Sequence, residues 1–445
     1  MLRNLAVANV VSVDKLIHHV RLPLYRNAYA LMISTAATSG LGLLYWIIAA
    51  RYYPPDAVGL NAAVVSMLTF LAGVAQLPSM NAMLRYIPVA GSATRRLVMW
   101  AYLLSTLLAT LVGGIFLLSI DVWSPVLTFL RQDFWLTLWF LLGVVSWCIF
   151  ALQDNVLTGL RKAVYVPLEN IPYAVAKIGL LILFATSLTN YGILASWTFP
   201  LIVILVPINY IIFRFLIPQH MEVTREQTFS FRISQIAYYV AGNSVGALFM
   251  LAATRLLPVL VTNIAGASAN AYFYLPWTIA TSLKLIIANM TTSFTVEVVA
   301  DNTKLRAYSH RFLVHTTGML IVPILVMLMS APYILSFSGE KYATEGTQLL
   351  RLLTLAALPN IIISLYLGIA RVRQRVSGII LLQLVLCVLT LGLSFIFLDE
   401  YGITGVGLAI LVSEVVVAVG LLLTSLRPIL LEPLWLKLLG RSGRL

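Results

Sequence analysis

The chain has 445 residues, 60% hydrophobic and 10% charged, with a formal net charge of +13. Soluble chains average about 25% charged residues, so a soluble globular protein is excluded, and the repeated apolar runs have the length of membrane-spanning helices. The positive balance does not point to nucleic acid, because the cations gather at the ends of apolar runs, where membrane topology places them.

In chain order the apolar runs predict about twelve spans: 28–50, 57–79, 97–119, 134–155, 164–187, 191–215, 234–262, 269–297, 310–331, 346–370, 378–398 and 402–426. The fold class is therefore an all-α polytopic membrane protein. Residues 1–26 are mixed and basic with no separate apolar core, so no cleavable signal is expected. Cys148 and Cys387 lie inside apolar runs and read as small buried residues rather than disulfide or metal partners.

Short connections on one side carry Arg85, Arg95, Arg96, Arg161, Lys162, Arg214, Arg371, Arg373, Arg375 and Arg427. Those on the other carry Arg51, Arg131, Lys341 and Arg351, balanced by acids such as Asp56, Asp121 and Glu340. Basic loops stay in the cytoplasm, which predicts both termini inside and an even number of spans. The polar stretch 218–232 falls at the midpoint. The expected organisation is a basic segment 1–27, an N-lobe 28–217, a linker 218–232, a C-lobe 233–426 and a tail 427–445.

The halves look related. AVGLNAA at 57–63 resembles AGASANA at 265–271, and at nearly the same offset Arg95-Arg96 falls near Lys304 and Arg306. Gly159 before Arg161-Lys162 likewise falls near Gly368 before Arg371. Six spans per half make this a parallel, pseudo-symmetric repeat, a plan that transporters use.

A cation in the hydrocarbon costs about 2.5–3.5 kcal/mol and normally faces a bundle interior or a wet cavity. Lys284 lies deep in the eighth span, too deep to snorkel to an interface. Its helical face also carries Phe273, Trp277, Thr291 and Thr295. Arg255, nearer the outer end of the seventh span, shares a face with Ser244; it fits either a cavity or a snorkelling position. Asn27, Ser34, Thr38 and Tyr45 form a matching stripe on the first span. With no obvious intramembrane acid to cancel both cations, the stripes predict one cavity built for an anion. Lys177 in the fifth span fits either a cavity cation or the partner of a carboxylate. Arg85 at the inner mouth fits phosphate gathering or plain topology signalling. Glu414, mid-span, suits proton coupling or pairing with a lobe cation. Glu297 suits gating or a solvated helix end.

No GxxxxGK[ST] loop is present, so no in-chain ATP hydrolysis is expected. The five histidines lie in or near inner connections without ligand spacing, and neither a metal site nor a catalytic residue is expected. No cofactor is implied.

Several stretches carry a resemblance: Arg26-Asn27-Ala28-Tyr29, the run to Arg51-Tyr52-Tyr53-Pro54-Pro55, AVGLNAAVVS at 57–66 and LRYIP at 84–88. They resemble Wzx-type polysaccharide and O-antigen flippases of the multidrug/oligosaccharidyl-lipid/polysaccharide (MOP) exporter superfamily. The resemblance implies two six-helix lobes around a V-shaped cavity lined by the first, second, seventh and eighth spans. It implies alternating access that moves an undecaprenyl-pyrophosphate-type lipid-linked oligosaccharide to the outer leaflet of a bacterial inner membrane. H+, Na+ or the membrane potential are the candidate energy sources, and membrane lipids and polysaccharide polymerase or export machinery the candidate partners. Paired cations suit a pyrophosphate, and Trp277, Tyr45 and Asn27 suit sugars. The rival expectations are a MATE-like multidrug or cation antiporter, whose cavity would use acids, and a membrane-embedded glycan-processing enzyme.

Overall fold

The computed structural model describes residues 23–225 and 233–430, with the side chains of 23–29 and 233–243 outside that description. The expected N-terminal segment before residue 23, the linker from 226 and the tail from 431 therefore lie outside the described residues. All regular elements among the described residues are helical.

Proline and aspartate set several boundaries. Helix α1 (Pro23–Tyr52) stops at the Tyr53-Pro54-Pro55 step, and α2 (Pro55–Tyr86) starts with Pro55 in its first turn, where a missing N–H costs nothing. Next come α3 (Thr94–Leu118) and α4 (Phe134–Gly159). Asp133 caps α4 by accepting from the Trp135 and Leu136 amides at 2.6 and 3.2 Å, which satisfies two of its four free donors. Helix α5 (Tyr165–Phe184) is followed by α6 (Gly192–Ile211), which runs on through a π turn into Ile217–Val223. The second half holds α7 (Ile233–Arg255), α8 (Leu257–Ala265), α9 (Ala267–Ala300), α10 (Leu305–Ser336), α11 (Glu340–Val372) and α12 (Val376–Leu423).

Among the described residues, eleven segments are long and apolar enough to cross a membrane. Helix α12 has 48 residues, about 72 Å of helix, against a hydrocarbon core of about 30 Å. It breaks at Gly402, whose φ of 56° and ψ of −147° lie outside the helical region. The two arms supply the eleventh and twelfth crossings, and α7 and α8 together make the seventh. The protein is thus a multi-pass membrane protein. The Gly402 backbone conformation is open essentially to glycine alone. Gly402→Ala is expected to cost about 1–3 kcal/mol, read as a lower melting temperature in detergent. An unchanged melting point would mean the turn is not held in this form.

The helices sort into two bundles. In the first, α2 packs on α3 and α4, α1 on α5, and α6 on α4 and α5. In the second, α11 packs on α9, α10 and α12, and α7 on α12. Helix α2 is the central element, buried along most of its length, whereas few residues of α1 are buried. It also carries most of the contact between the bundles, through α7 and α9.

Polar contacts across the seam gather at the end that carries Asp56. There Arg51 Nε donates to the Phe337 carbonyl at 2.6 Å, Ser268 bonds to Asp56, and Asn270 Nδ2 donates to the Gly59 carbonyl at 2.7 Å. Asn263 bonds to Ser124 and to the Trp123 carbonyl. Deeper in, Trp46 packs on Tyr274 with ring centroids 4.5 Å apart.

The repeat is visible in a backbone detail. Helices α4 and α11 both end on a left-handed residue, Arg161 and Gln374. The next amide closes each end in the same way, Lys162 to the Leu157 carbonyl at 2.8 Å and Arg375 to the Ala370 carbonyl at 2.9 Å. The fourth and tenth crossings thus terminate alike, as a parallel six-helix repeat requires.

Candidate functional site

Lys284 is held by α9 in the second bundle, at intermediate burial. Its Nζ lies 2.6 Å from Glu414 Oε1, with the lysine side chain 29% exposed and the glutamate 7%. Glu414 comes from the second arm of α12. Asn360 Nδ2, on α11, also donates to that oxygen at 3.4 Å, and Ser364 Oγ donates to Asn360 Oδ1 at 3.3 Å. Glu414 Oε2 is buried with no partner. The Trp277 ring, stacked on Phe273, has its centroid 5.8 Å from Nζ. The expectation of two unbalanced cations is therefore corrected at Lys284, which has a carboxylate from a helix 130 residues away.

Lys177 satisfies neither alternative read from the sequence. Among the described residues no carboxylate lies within ion-pair distance of it. Its Nζ instead sits over three rings, 3.9 Å from the Trp197 centroid, 4.9 Å from Tyr45 and 5.3 Å from Tyr173. Ring faces attract a desolvated cation by about 2 kcal/mol or more. The cage is fixed by its own hydrogen bonds. The Tyr45 hydroxyl bonds to Ser196 and donates to the Ile193 carbonyl, and Tyr173 donates to the Trp197 carbonyl.

Several residues of the expected stripes are packed into protein rather than open. Tyr45 is fully buried, and Thr291 is buried with its methyl against Gly368. Ser34 is buried and accepts from Asn170, and Thr38 turns its hydroxyl onto the Ser34 carbonyl. Arg255 is exposed at the break between α7 and α8, and among the described residues no ion pair joins it to Glu414. Arg85 is exposed beside the Tyr86 ring, Ser244 is half-buried, and Glu297 is exposed near the end of α9. The Asn27 side chain lies outside the described residues.

Sequence reasoning missed an acidic pair in the first bundle. Glu169, at the start of α5, is fully buried and both of its carboxyl oxygens lack a partner. Asp154, on α4, is beside it, and the Asn170 amide donates to both Asp154 oxygens at 3.2 Å. The Tyr102 hydroxyl, near Glu169, is likewise unpartnered. The only sequence signal was an acid one residue from an amide near a span end. An unpaired buried carboxylate is costly, so Glu169→Gln should hold or raise the melting temperature. A fall of several degrees would show that the charge itself is needed.

Neither a family model nor a curated protein matches the chain. Solved structures do. An inward-facing multidrug-resistance MATE-family transporter of the MOP superfamily matches over 92% of this chain and 96% of its own, with a TM-score of 0.67 and 16% identity. The lipid II flippase MurJ, in an inward closed conformation, matches over 88% and 87%, with a TM-score of 0.67 and 13% identity. A MOP-superfamily transporter from Pyrococcus furiosus, reported with a binding pocket of reverse polarity, matches over 94% and 96%, with a TM-score of 0.55 and 15% identity. At these identities the shared property is the fold. The chain has the MOP-transporter fold along nearly its whole length.

Proposed function

We propose that the protein is a Wzx-type flippase. It moves a polyprenyl-pyrophosphate-linked oligosaccharide from the inner to the outer leaflet of a bacterial inner membrane by alternating access. The lobes, 28–217 and 233–426, rock about the linker 218–232. The observation that carries this reading is Lys284, a cation deep in its bundle that keeps 29% of its side chain exposed beside an aromatic ring. A pyrophosphate is the part of such a lipid that hydrocarbon rejects, and a reachable ammonium can replace its water with charge-assisted hydrogen bonds. Trp277, Ser244, Thr38 and Arg255 are the further headgroup contacts, and Arg85 gathers phosphate at the inner mouth. The polyprenyl chain stays in lipid. H+, Na+ or the membrane potential supplies the drive, and polysaccharide polymerase or export machinery receives the product.

A second reading, a MATE-like cation antiporter, is favoured by one observation: the buried acids Asp154 and Glu169 in the first bundle. The two readings separate in liposomes holding the purified protein. Transbilayer movement of a lipid-linked oligosaccharide, lost in Lys284→Ala, supports the flippase. Drug uptake lost in Glu169→Gln, with no lipid movement, replaces it with the antiporter.

A further inference from the structure

We infer that Glu414 is an exchangeable counterion for Lys284: an arriving anionic headgroup displaces it, and the freed carboxylate takes up a proton on Oε2. This rests on the proposal that the site receives an anion. Three features of the geometry carry it. Lys284 is reachable, being the more exposed partner of the pair. Glu414 is nearly buried, so once unpaired it cannot be compensated by bulk water. Its Oε2 is buried without a partner, while Oε1 holds both donors, Lys284 and Asn360. The empty lone pairs are thus on the oxygen that a proton can occupy without breaking the Asn360 contact.

The exchange balances. The ammonium keeps its three protons and changes partner from carboxylate to phosphate oxygen. A hydronium gives its proton to Oε2, forming one O–H bond and leaving water. The carboxylate is neutral after the exchange, and of a dianion's two charges one faces the ammonium while the other keeps its water. Among the described groups packed on this arm of α12, the one charged group in contact with Glu414 is Lys284. Helix α8 carries no titratable residue. On α11, Arg351 and Tyr366 lie more than a turn from Asn360, and Arg351 donates to the Leu328 carbonyl. Arg255 on α7 sits at the exposed break. Anion and proton therefore bind together, and by linkage each raises the affinity for the other.

The probe is inorganic sulfate, which does not itself titrate near neutral pH, added to the full chain in detergent. Calorimetry in buffers of different ionisation heat counts the protons taken up. The wild type is expected to take up close to one proton per sulfate, with affinity rising up to about tenfold per unit of acidification. Glu414→Gln should bind sulfate more tightly at neutral pH, without proton uptake and without the pH slope. Sulfate bound by the wild type with no proton uptake overturns the counterion exchange alone. An unchanged pH slope in Glu414→Gln does the same. No binding by the wild type at any pH overturns the anion-carrying reading as well. The proton count needs only the wild type, so a poorly folding variant does not spare the inference.

Discussion

Gly59→Ala is expected to part the two bundles at the end that carries Asp56. A Cβ at this position would lie 1.7 Å from the Ala267 carbonyl oxygen and 2.8 Å from the Ala271 amide nitrogen. Both obstacles are backbone of α9, so no rotamer change relieves them, and the helices must move apart. Overpacking of this kind costs about 1–3 kcal/mol, which here falls on the seam rather than on α2. Within a helix alanine is about 1 kcal/mol better than glycine, so the first bundle alone is not weakened. The Asn270 bond to the Gly59 carbonyl and the Ser268 bond to Asp56 both flank this contact and should be lost with it. Gly73→Ala is the contrasting case, since its Cβ would meet the methyl of Leu251, a side chain that can turn. The measurement is disulfide trapping between Asp56→Cys and Ser268→Cys in membranes. The yield should fall about tenfold or more in Gly59→Ala, from a shift of about 1.4 kcal/mol or more, and little in Gly73→Ala. Equal yields in all three backgrounds would mean that the close approach does not hold the seam. If the bundles rock as proposed, the same variant spends more of its time open at this end, and lipid movement loses its return stroke.

How much of this was legible beforehand depends on whether a feature is local. The crossings were, because twenty apolar residues in a row have few other uses, and the turn at Asp399-Glu400-Tyr401-Gly402 marked the break in α12 that continuous hydrogen bonding obscures. Lys284 was legible by its depth, and Glu414 was legible as an acid in want of a partner. Their contact was not, because it depends on how α9, α11 and α12 pack. The Lys177 cage was half legible. Tyr173 is one turn back on the same helix, the spacing that brings side chains together, whereas Tyr45 and Trp197 arrive from α1 and α6. Asp154 and Glu169 give no local signal, because acids near span ends are ordinarily solvated. Only the packing of α4 and α5 against their neighbours buries them. Tyr45 and Thr291 share helical faces with polar residues, yet a shared face does not say whether the neighbour is a cavity or another helix.

Removing one member of the Lys284–Glu414 pair should be far worse for the fold than removing both. Taking away one partner of a buried pair costs about 3–5 kcal/mol, because the other charge is left uncompensated. The partial exposure of Lys284 reduces this toward the lower bound when Glu414 is the one removed. Lys284→Met leaves the nearly buried glutamate alone with only the Asn360 amide, and is the more damaging single change. Lys284→Met with Glu414→Leu replaces the pair by apolar groups of similar volume, an exchange that is commonly neutral or stabilising. The expected order of melting temperature in detergent is therefore the double variant near the wild type, Glu414→Leu below it, and Lys284→Met lowest. Transport should not follow that order. If Lys284 carries the headgroup, the double variant is as inactive in lipid movement as Lys284→Met, although it melts like the wild type. If the pair only braces the second bundle, the double variant recovers movement together with stability. The combination of restored folding and absent movement separates a binding cation from a structural one, and the opposite result would remove Lys284 from the transport pathway.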